Sequence, residues 1–589
     1  MEISRRGFVQ NALGSAVAFS ALTASGITHA AAPPAIDDPY YLHLVHANDA
    51  YLPSLLAGSS SAQRFGGARG TGEALCSLAA AYCAPESSSH HSPKILAALE
   101  ANATRLLAAQ NPDGTIDSGN LCSPPDTSFT VQTTAMALTV LRREAPLPAT
   151  LVQKLEKFLR TAGEALLTGG IHTPNHRWVL SSALAQLNTL FPDPRYVARI
   201  DDWLGEGVFS DADGQFSERS TGIYSRVVDN AMITLARHLR RPALLEPVRR
   251  NLAMTLFYMH PNGELETVAS RRQDQNMQAW ISNYYLQYRY MALLDANPHF
   301  AAAARFSEQI GLQHAEDSIP LIQFLEEPLY RRPLPTPVAL PTDYARFFPS
   351  SSLARIRRGS LSATVYGGSD WPLGQLSGLA SNPTFFRFRK GQAILDSVRL
   401  MPLFFSEGAF RSAGMEVSGN RYILHQTISV PYYQPLPKNL RNPQGDYPLT
   451  PAGNRFWSKM NFPQRPISNV QSLSQKVTVT ENNGAFNLDF EIGGHDRVPI
   501  VIELAFRHEG SFTGAEPGRS RPSLAFLRQG LGRFTAGSDT ITFGPGQADH
   551  EQVRMEPAPV DAHSEGPQPA LYRVYITAYT PFRKTLTIS

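Results

Sequence analysis

Four turn dipeptides constrain this chain more than any other feature. Asp113-Gly114, Gly169-Gly170, Asp213-Gly214 and Asn262-Gly263 interrupt an otherwise helical pattern at intervals of about fifty residues. Between them apolar residues recur at helical spacing, as in Ile95, Leu96, Leu99, Leu106 and Leu107, or Met232, Ile233, Leu235, Leu239 and Leu244. Such a period accommodates two helices of ordinary length with their turns, so residues 33–315 read as stacked helical hairpins. A row of hairpins forms either an open solenoid or a closed (α/α) toroid. The polar residues after each break favour the toroid, because closure gathers successive loops at one rim. They are Asp126 after the first, Asn175, His176 and Arg177 after the second, Glu218, Arg219 and Tyr224 after the third, and Arg271, Arg272 and Gln273 after the fourth.

The texture then changes. Residues 316–350 carry Pro328, Pro333, Pro335, Pro337 and Pro341 and read as a semi-rigid linker. Beyond it, runs of alternating or β-branched residues dominate: Leu361 to Tyr366, Thr384 to Arg389, Arg421 to His425, Lys476 to Thr480, Phe486 to Phe490 and Leu571 to Thr577. Residues 351–589 therefore read as an antiparallel β-sandwich. The fold class expected is α+β and multidomain, with an N-terminal (α/α) toroid and a C-terminal sandwich.

Residues 1–32 read as a twin-arginine signal peptide. Arg5-Arg6 precede Gly7-Phe8-Val9, an uncharged, small and apolar stretch follows from Ala12 to Ile27, and Ala30-Ala31-Ala32 supplies a processing site. The expected location is the periplasm or beyond. No other stretch approaches the roughly twenty apolar residues of a membrane span. Lys and Arg number 53 against 50 Asp and Glu, which argues against a nucleic-acid partner. Cys76, Cys83 and Cys122 are too few for a disulfide scaffold, and their spacing suggests no zinc site.

The densest polar motif is His172-Thr-Pro-Asn-His-Arg-Trp178, which leads into a helical stretch. Asn175, His176 and Arg177 beside a helix start suit a carboxylate, since free backbone N–H groups there also attract anions. They equally read as a helix cap with a surface histidine. One repeat later comes Ser217-Glu-Arg-Ser-Thr-Gly-Ile-Tyr-Ser-Arg226. A free tyrosine titrates near ~10, and positive charge from Arg219 and Arg226 would make Tyr224 a usable base; otherwise it is a packing aromatic. His425 joins a site only if the β half packs on the toroid rim. Tyr285, in the aromatic run Ser282–Tyr290, either stacks on a sugar or packs between helices.

These motifs, in this order, resemble the polysaccharide lyases of the heparinase II/III-like and toroid alginate-lyase group. The resemblance implies an Asn-His pair on the second active-site hairpin, a tyrosine about one hairpin later, and a histidine from the β domain. Asn175-His176, Tyr224 and His425 stand at those positions. It implies β-elimination on a uronic-acid-containing polysaccharide. Tyr224 would take the C5 proton, and Asn175 and His176 would neutralise the sugar carboxylate with Arg177 or Arg219 assisting. His425 would act as acid, and Asp126 and Tyr285 would help bind substrate. No redox cofactor is called for; a structural metal in the β domain is known in part of the group, and no ligand set for one stands out. Two other classes stay open. A glycoside hydrolase would need a carboxyl pair drawn from Asp126, Asp213, Glu218, Glu264 or Glu266, and a noncatalytic glycan-binding protein would tolerate loss of Tyr224.

Overall fold

The structure is a computed structural model and describes residues 38–57, 67–144, 147–311, 320–369, 382–452, 456–555 and 569–589. The stretch read as an export signal lies outside the described residues. Helices fill the first part of the chain: α1 (Pro39–Leu56), α2 (Gly67–Cys83), α3 (Pro93–Ala108), α4 (Pro124–Leu141), α5 (Ala149–Thr168), α6 (His176–Leu190), α7 (Pro194–Leu204), α8 (Tyr224–Leu239), α9 (Glu246–Tyr258), α10 (Tyr285–Asp295), α11 (Pro298–Ile310) and α12 (Pro320–Glu326). None of the described helices is long and apolar enough to cross a membrane.

The helices form two rows. The even-numbered ones from α2 to α10 touch in series, and α12 leans on α1, α2 and α4. Members of this inner row are buried nearly all round: α6 is closed to solvent from Trp178 to Leu187, and α10 from Tyr285 to Ala292. The outer row is amphipathic. On α5, for example, Leu151, Leu155, Phe158, Leu159, Ala162 and Leu166 form one buried stripe.

Three of the four turn dipeptides prove to be one motif. In each, a residue three before the glycine accepts from the glycine N–H and donates its own N–H to the residue after the glycine. The bonds are Gly114 to Asn111 at 2.9 Å and Asn111 to Thr115 at 2.8 Å, Gly214 to Asp211 at 3.1 Å and Asp211 to Gln215 at 2.9 Å, and Gly263 to His260 at 2.9 Å and His260 to Glu264 at 2.7 Å. Each glycine has a φ between +90° and +99°, a region closed to residues with a Cβ at little cost. Each also presses on the next outer helix: a Cβ would lie 2.3 Å from the Thr161 carbonyl oxygen at Gly114, 2.6 Å from that of Arg250 at Gly214, and 2.8 Å from Ile310 Cδ1 at Gly263. Gly169 differs. It ends α5 in extended backbone, and its Cβ position faces Pro124. The fifty-residue spacing thus mixes two kinds of outer-to-inner connection at one rim.

The expected linker holds more structure than its prolines suggest. It contains α12 and strand Asp343–Phe348, which pairs with Leu353–Arg358. The proline-rich stretch itself is short, because only its central part lacks a regular hydrogen-bonding pattern. Five of the six runs expected as strands lie wholly in strands, and the sixth, Thr384 to Arg389, enters one at Phe386. They belong to an eight-stranded and a nine-stranded sheet, antiparallel throughout except where Ala525–Phe526 runs parallel to Leu571–Tyr579. The two sheets share one apolar core, with Phe386, Phe388 and Leu504 from one and Phe486, Leu488 and Leu586 from the other. The eight-stranded sheet alternates buried and open residues, as in Ala485–Gly493. The nine-stranded sheet is buried on both faces, as along Ala393–Pro402.

Its second face meets the loop between α9 and α10. Met254, Tyr258 and Val268 pack there against Phe348, Leu353 and Tyr366. Beside them Glu264 accepts two guanidinium forks, from Arg389 at 2.8 and 2.8 Å and from Arg507 at 2.8 and 2.5 Å. Glu266 accepts from Arg387 at 2.8 Å and Thr364 at 2.5 Å, with Arg355 at 3.5 Å. Burial alone would raise the pKa of Glu264, but the guanidinium groups of Arg389 and Arg507 outweigh it and hold the carboxylate ionised.

Gly214→Ala should lower stability by about 3 kcal/mol, combining backbone strain with the contact against Arg250. Urea unfolding followed by circular dichroism checks this, and an unchanged midpoint would contradict the motif's role.

Candidate active site

The rim loops between outer and inner helices converge on a cleft of about 680 Å³. Every inner helix contributes its amino-terminal portion: Arg69 and Glu73 from α2, Asp126 and Phe129 from α4, His176 and Val179 from α6, Tyr224 and Asn230 from α8, and Leu286 from α10. Five helix starts pointing one way bring free N–H groups and positive dipole ends together. Arg69, Arg226 and Arg272 add charge against the lining carboxylates Glu73 and Asp126. A cleft so built attracts anions.

Tyr224 opens α8. Its backbone N–H donates to Ser220 Oγ at 2.9 Å. Ser220 Oγ and the Gly222 N–H in turn donate to Asp274 Oδ2, each at 3.0 Å. Gly222 is required by that approach, since a Cβ would lie 2.8 Å from Asp274 Oδ2. Burial raises the Asp274 carboxyl to about 6 against the lowering effect of its donors. The phenol is reached from the next loop: Gln273 Nε2 donates to Tyr224 Oη at 2.5 Å, and the Arg272 guanidinium carbon lies 4.0 Å from the ring centroid.

His176 opens α6 and shares the cleft with Tyr224. Its ring meets that of His172 edge-on, with centroids 4.6 Å apart. Burial disfavours the imidazolium, and His172 opposes it further, so the pKa falls to about 4 although Asp126 pulls the other way. The imidazole is neutral at ordinary pH. Asp126 is fixed by Ser123 Oγ at 2.7 Å, Asn120 Nδ2 at 3.1 Å and Arg69 Nη1 at 3.3 Å.

No family model and no curated protein sequence matches the chain. Solved structures do. Heparinase III superimposes with a TM-score of 0.55 at 12% identity, covering 88% of this chain and 76% of that one. A Paenibacillus xanthan lyase superimposes with a TM-score of 0.54 at 11% identity over 93% of this chain and 56% of its own. The fold is that of the polysaccharide lyases.

Within this lyase fold, Tyr224, His176 and Asp126 line the cleft, and the other expected residues do not. Asn175 is fully buried behind it: its N–H donates to Glu218 at 3.1 Å and its Nδ2 at 3.0 and 3.1 Å. Glu218 also pairs with Arg272. Arg177 turns outward to Glu206 at 2.8 Å. Arg219, in left-handed backbone with φ +49°, donates to the Ser350 carbonyl and ties the loop to the β region. Tyr285 is buried between helices, its hydroxyl 2.9 Å from Glu308. His425 is exposed on the eight-stranded sheet, because Tyr422 and Leu424 claim the core-facing parity of its strand.

Of the five carboxyls considered for hydrolysis, only Asp126 lines the cleft. Asp213 accepts from the Ser350 N–H at 2.8 Å, and Glu218, Glu264 and Glu266 are committed to arginines. Sequence reasoning passed over Arg272 and Gln273 as site residues although they follow the fourth break; for Arg69, Asn120 and Asn230 it held no signal.

Glu218→Ala would strip Arg272 of its carboxylate partner and leave the buried Asn175 backbone N–H without its acceptor. The expected cost is about 3 kcal/mol, measured by urea unfolding. A loss within the error of the measurement would show that Glu218 does not hold this side of the cleft.

Proposed function

We propose that this chain is a polysaccharide lyase that cleaves a uronic-acid-containing glycan by β-elimination, leaving a 4,5-unsaturated uronate. The observation that carries the reading is the pairing of a phenol and a neutral imidazole in a cleft where helix starts and arginines favour a carboxylate, on a lyase fold. The hydrolase reading needs two carboxyls flanking one bond; Asp126 and Glu73 both line the cleft, but Asp126 is already held by Ser123, Asn120 and Arg69, which favours the lyase reading.

In the proposed reaction the sugar carboxylate lies toward Arg272 and the inner helix starts, which stabilise the enolate-like charge as the C5 proton leaves. Tyr224, reacting as the tyrosinate, takes that proton, the C4–O bond breaks as the C4=C5 bond forms, and the phenol so formed gives the proton to the departing oxygen. Gln273 and Arg272 hold the phenol in place. His176, neutral, hydrogen-bonds the carboxylate; on a uronate of opposite C5 configuration it is the base. Asn175 acts from behind, through Glu218 and Arg272. The elimination is redox-neutral overall and calls for no redox cofactor.

The same reading extends to architecture and location. The inner and outer helix rows form an (α/α) toroid, the two sheets a β-sandwich, and the twin-arginine motif directs the chain to the periplasm or beyond. There it would meet exogenous acidic polysaccharide.

Incubation with a panel of uronate glycans should raise ultraviolet absorbance as the conjugated double bond forms. Reducing ends without that absorbance would mean hydrolysis, and neither signal would mean binding alone. Tyr224→Phe should lower the rate by about 10²- to 10⁴-fold with unchanged circular dichroism; near-normal turnover would remove Tyr224 as base. The acid limb of the wild-type rate should lie near pH 4, because His176 stays neutral down to its depressed pKa of about 4. A limb near ~6.5, the free histidine value, would contradict a working role for buried His176.

A further inference from the structure

A second constellation lies at the opposite end of the inner helices from the cleft. We propose that His90, His91 and Glu144 form a binding site for one divalent transition-metal ion of the zinc class, with water completing the coordination. One ligand atom from each of the three falls within 4.8 Å of the others. Binding would draw these atoms in to the ~2.0–2.2 Å bonds that zinc makes with imidazole nitrogen and carboxylate oxygen.

The local backbone is bent to make this cluster. His91 has φ +53°, which costs a residue with a Cβ about 1–2 kcal/mol relative to ordinary backbone. It is held there by its N–H, which donates to the Tyr82 carbonyl at 3.1 Å, while the His90 N–H donates to Ser87 at 3.1 Å. The result is two adjacent imidazoles stacked with centroids 3.8 Å apart and planes 26° apart. His91 Nε2 lies 2.9 Å from Glu144 Oε2. Adjacent residues in extended or helical backbone do not bring their rings together in this way; the left-handed residue between the turn and α3 does.

Glu144 follows the carboxyl end of α4, whose negative dipole end favours a cation, and the two histidines lie in the turn that joins α2 to α3. Two imidazoles with one carboxylate match the preference of zinc and its late first-row neighbours, and not that of calcium or magnesium, which take oxygen ligands. None of the three residues lines the cleft. The 17 residues of α2 separate the two sites by roughly 25 Å. The ion would therefore clamp the α2–α3 turn to the end of α4 and leave the chemistry untouched.

The test is titration of the untagged full chain with Zn²⁺ by calorimetry, with melting followed in parallel. One equivalent should bind and raise the melting temperature by several degrees. His91→Asn keeps a residue tolerant of left-handed backbone while removing the ligand, and Glu144→Gln keeps the side-chain shape. Each should weaken Zn²⁺ binding at least tenfold and lose the thermal shift, with circular dichroism and glycan turnover as in the wild type. Absence of stoichiometric binding to the wild type, or wild-type Zn²⁺ affinity in both variants, would overturn the proposal.

Discussion

Glu264 and Glu266 sit two positions apart on one loop, buried, and each is gripped by arginines from strands of the nine-stranded sheet. Breaking one member of such a set costs about 3–5 kcal/mol, while the intact set adds little over well-packed apolar groups. Its contribution is placement. Two guanidinium forks on one carboxylate fix both distance and orientation, so the loop from Glu264 to Trp280 has one seat on the sheet. The same loop carries Arg272 and Gln273 to the phenol of Tyr224. The β region thus shapes the cleft through a loop it holds, and among its described residues no side chain lines the cleft.

A second support comes from within the helical rows. Asn175 holds Glu218, Glu218 holds Arg272, and Arg272 lies over the Tyr224 ring. Four residues from three rim loops are joined in one line. Asp274 adds a fifth point by fixing the turn just before Tyr224. The groups that face the cleft are therefore set by others behind them, which is the arrangement that precise positioning of a reacting group requires.

The hairpins are legible in the sequence because helical stripes and Asp-Gly or Asn-Gly turns are local signals. His176 and Tyr224 are legible because each opens an inner helix directly after a polar rim loop. Their neighbours mislead for a geometric reason. Successive helical residues point about 100° apart, so His176 faces the cleft while Asn175 points behind it and Arg177 outward. His425 misleads by strand parity, which no short motif reveals. The aromatic run at Tyr285 reads as sugar-stacking or packing, and the burial of the whole inner helix decides for packing. Arg272 acquires its place in part through the seam with strands more than a hundred residues away, which leaves no trace in nearby sequence.

The convergence of five inner helix starts on the cleft has a further consequence. Peptide dipoles do not titrate, unlike lysine or histidine, and no single side-chain replacement removes them. The pull they exert on an anionic group is part of the backbone itself, constant from acid to alkaline conditions. Changes in the lining residues can therefore redirect which ligand is accepted, while the preference for a negatively charged guest persists.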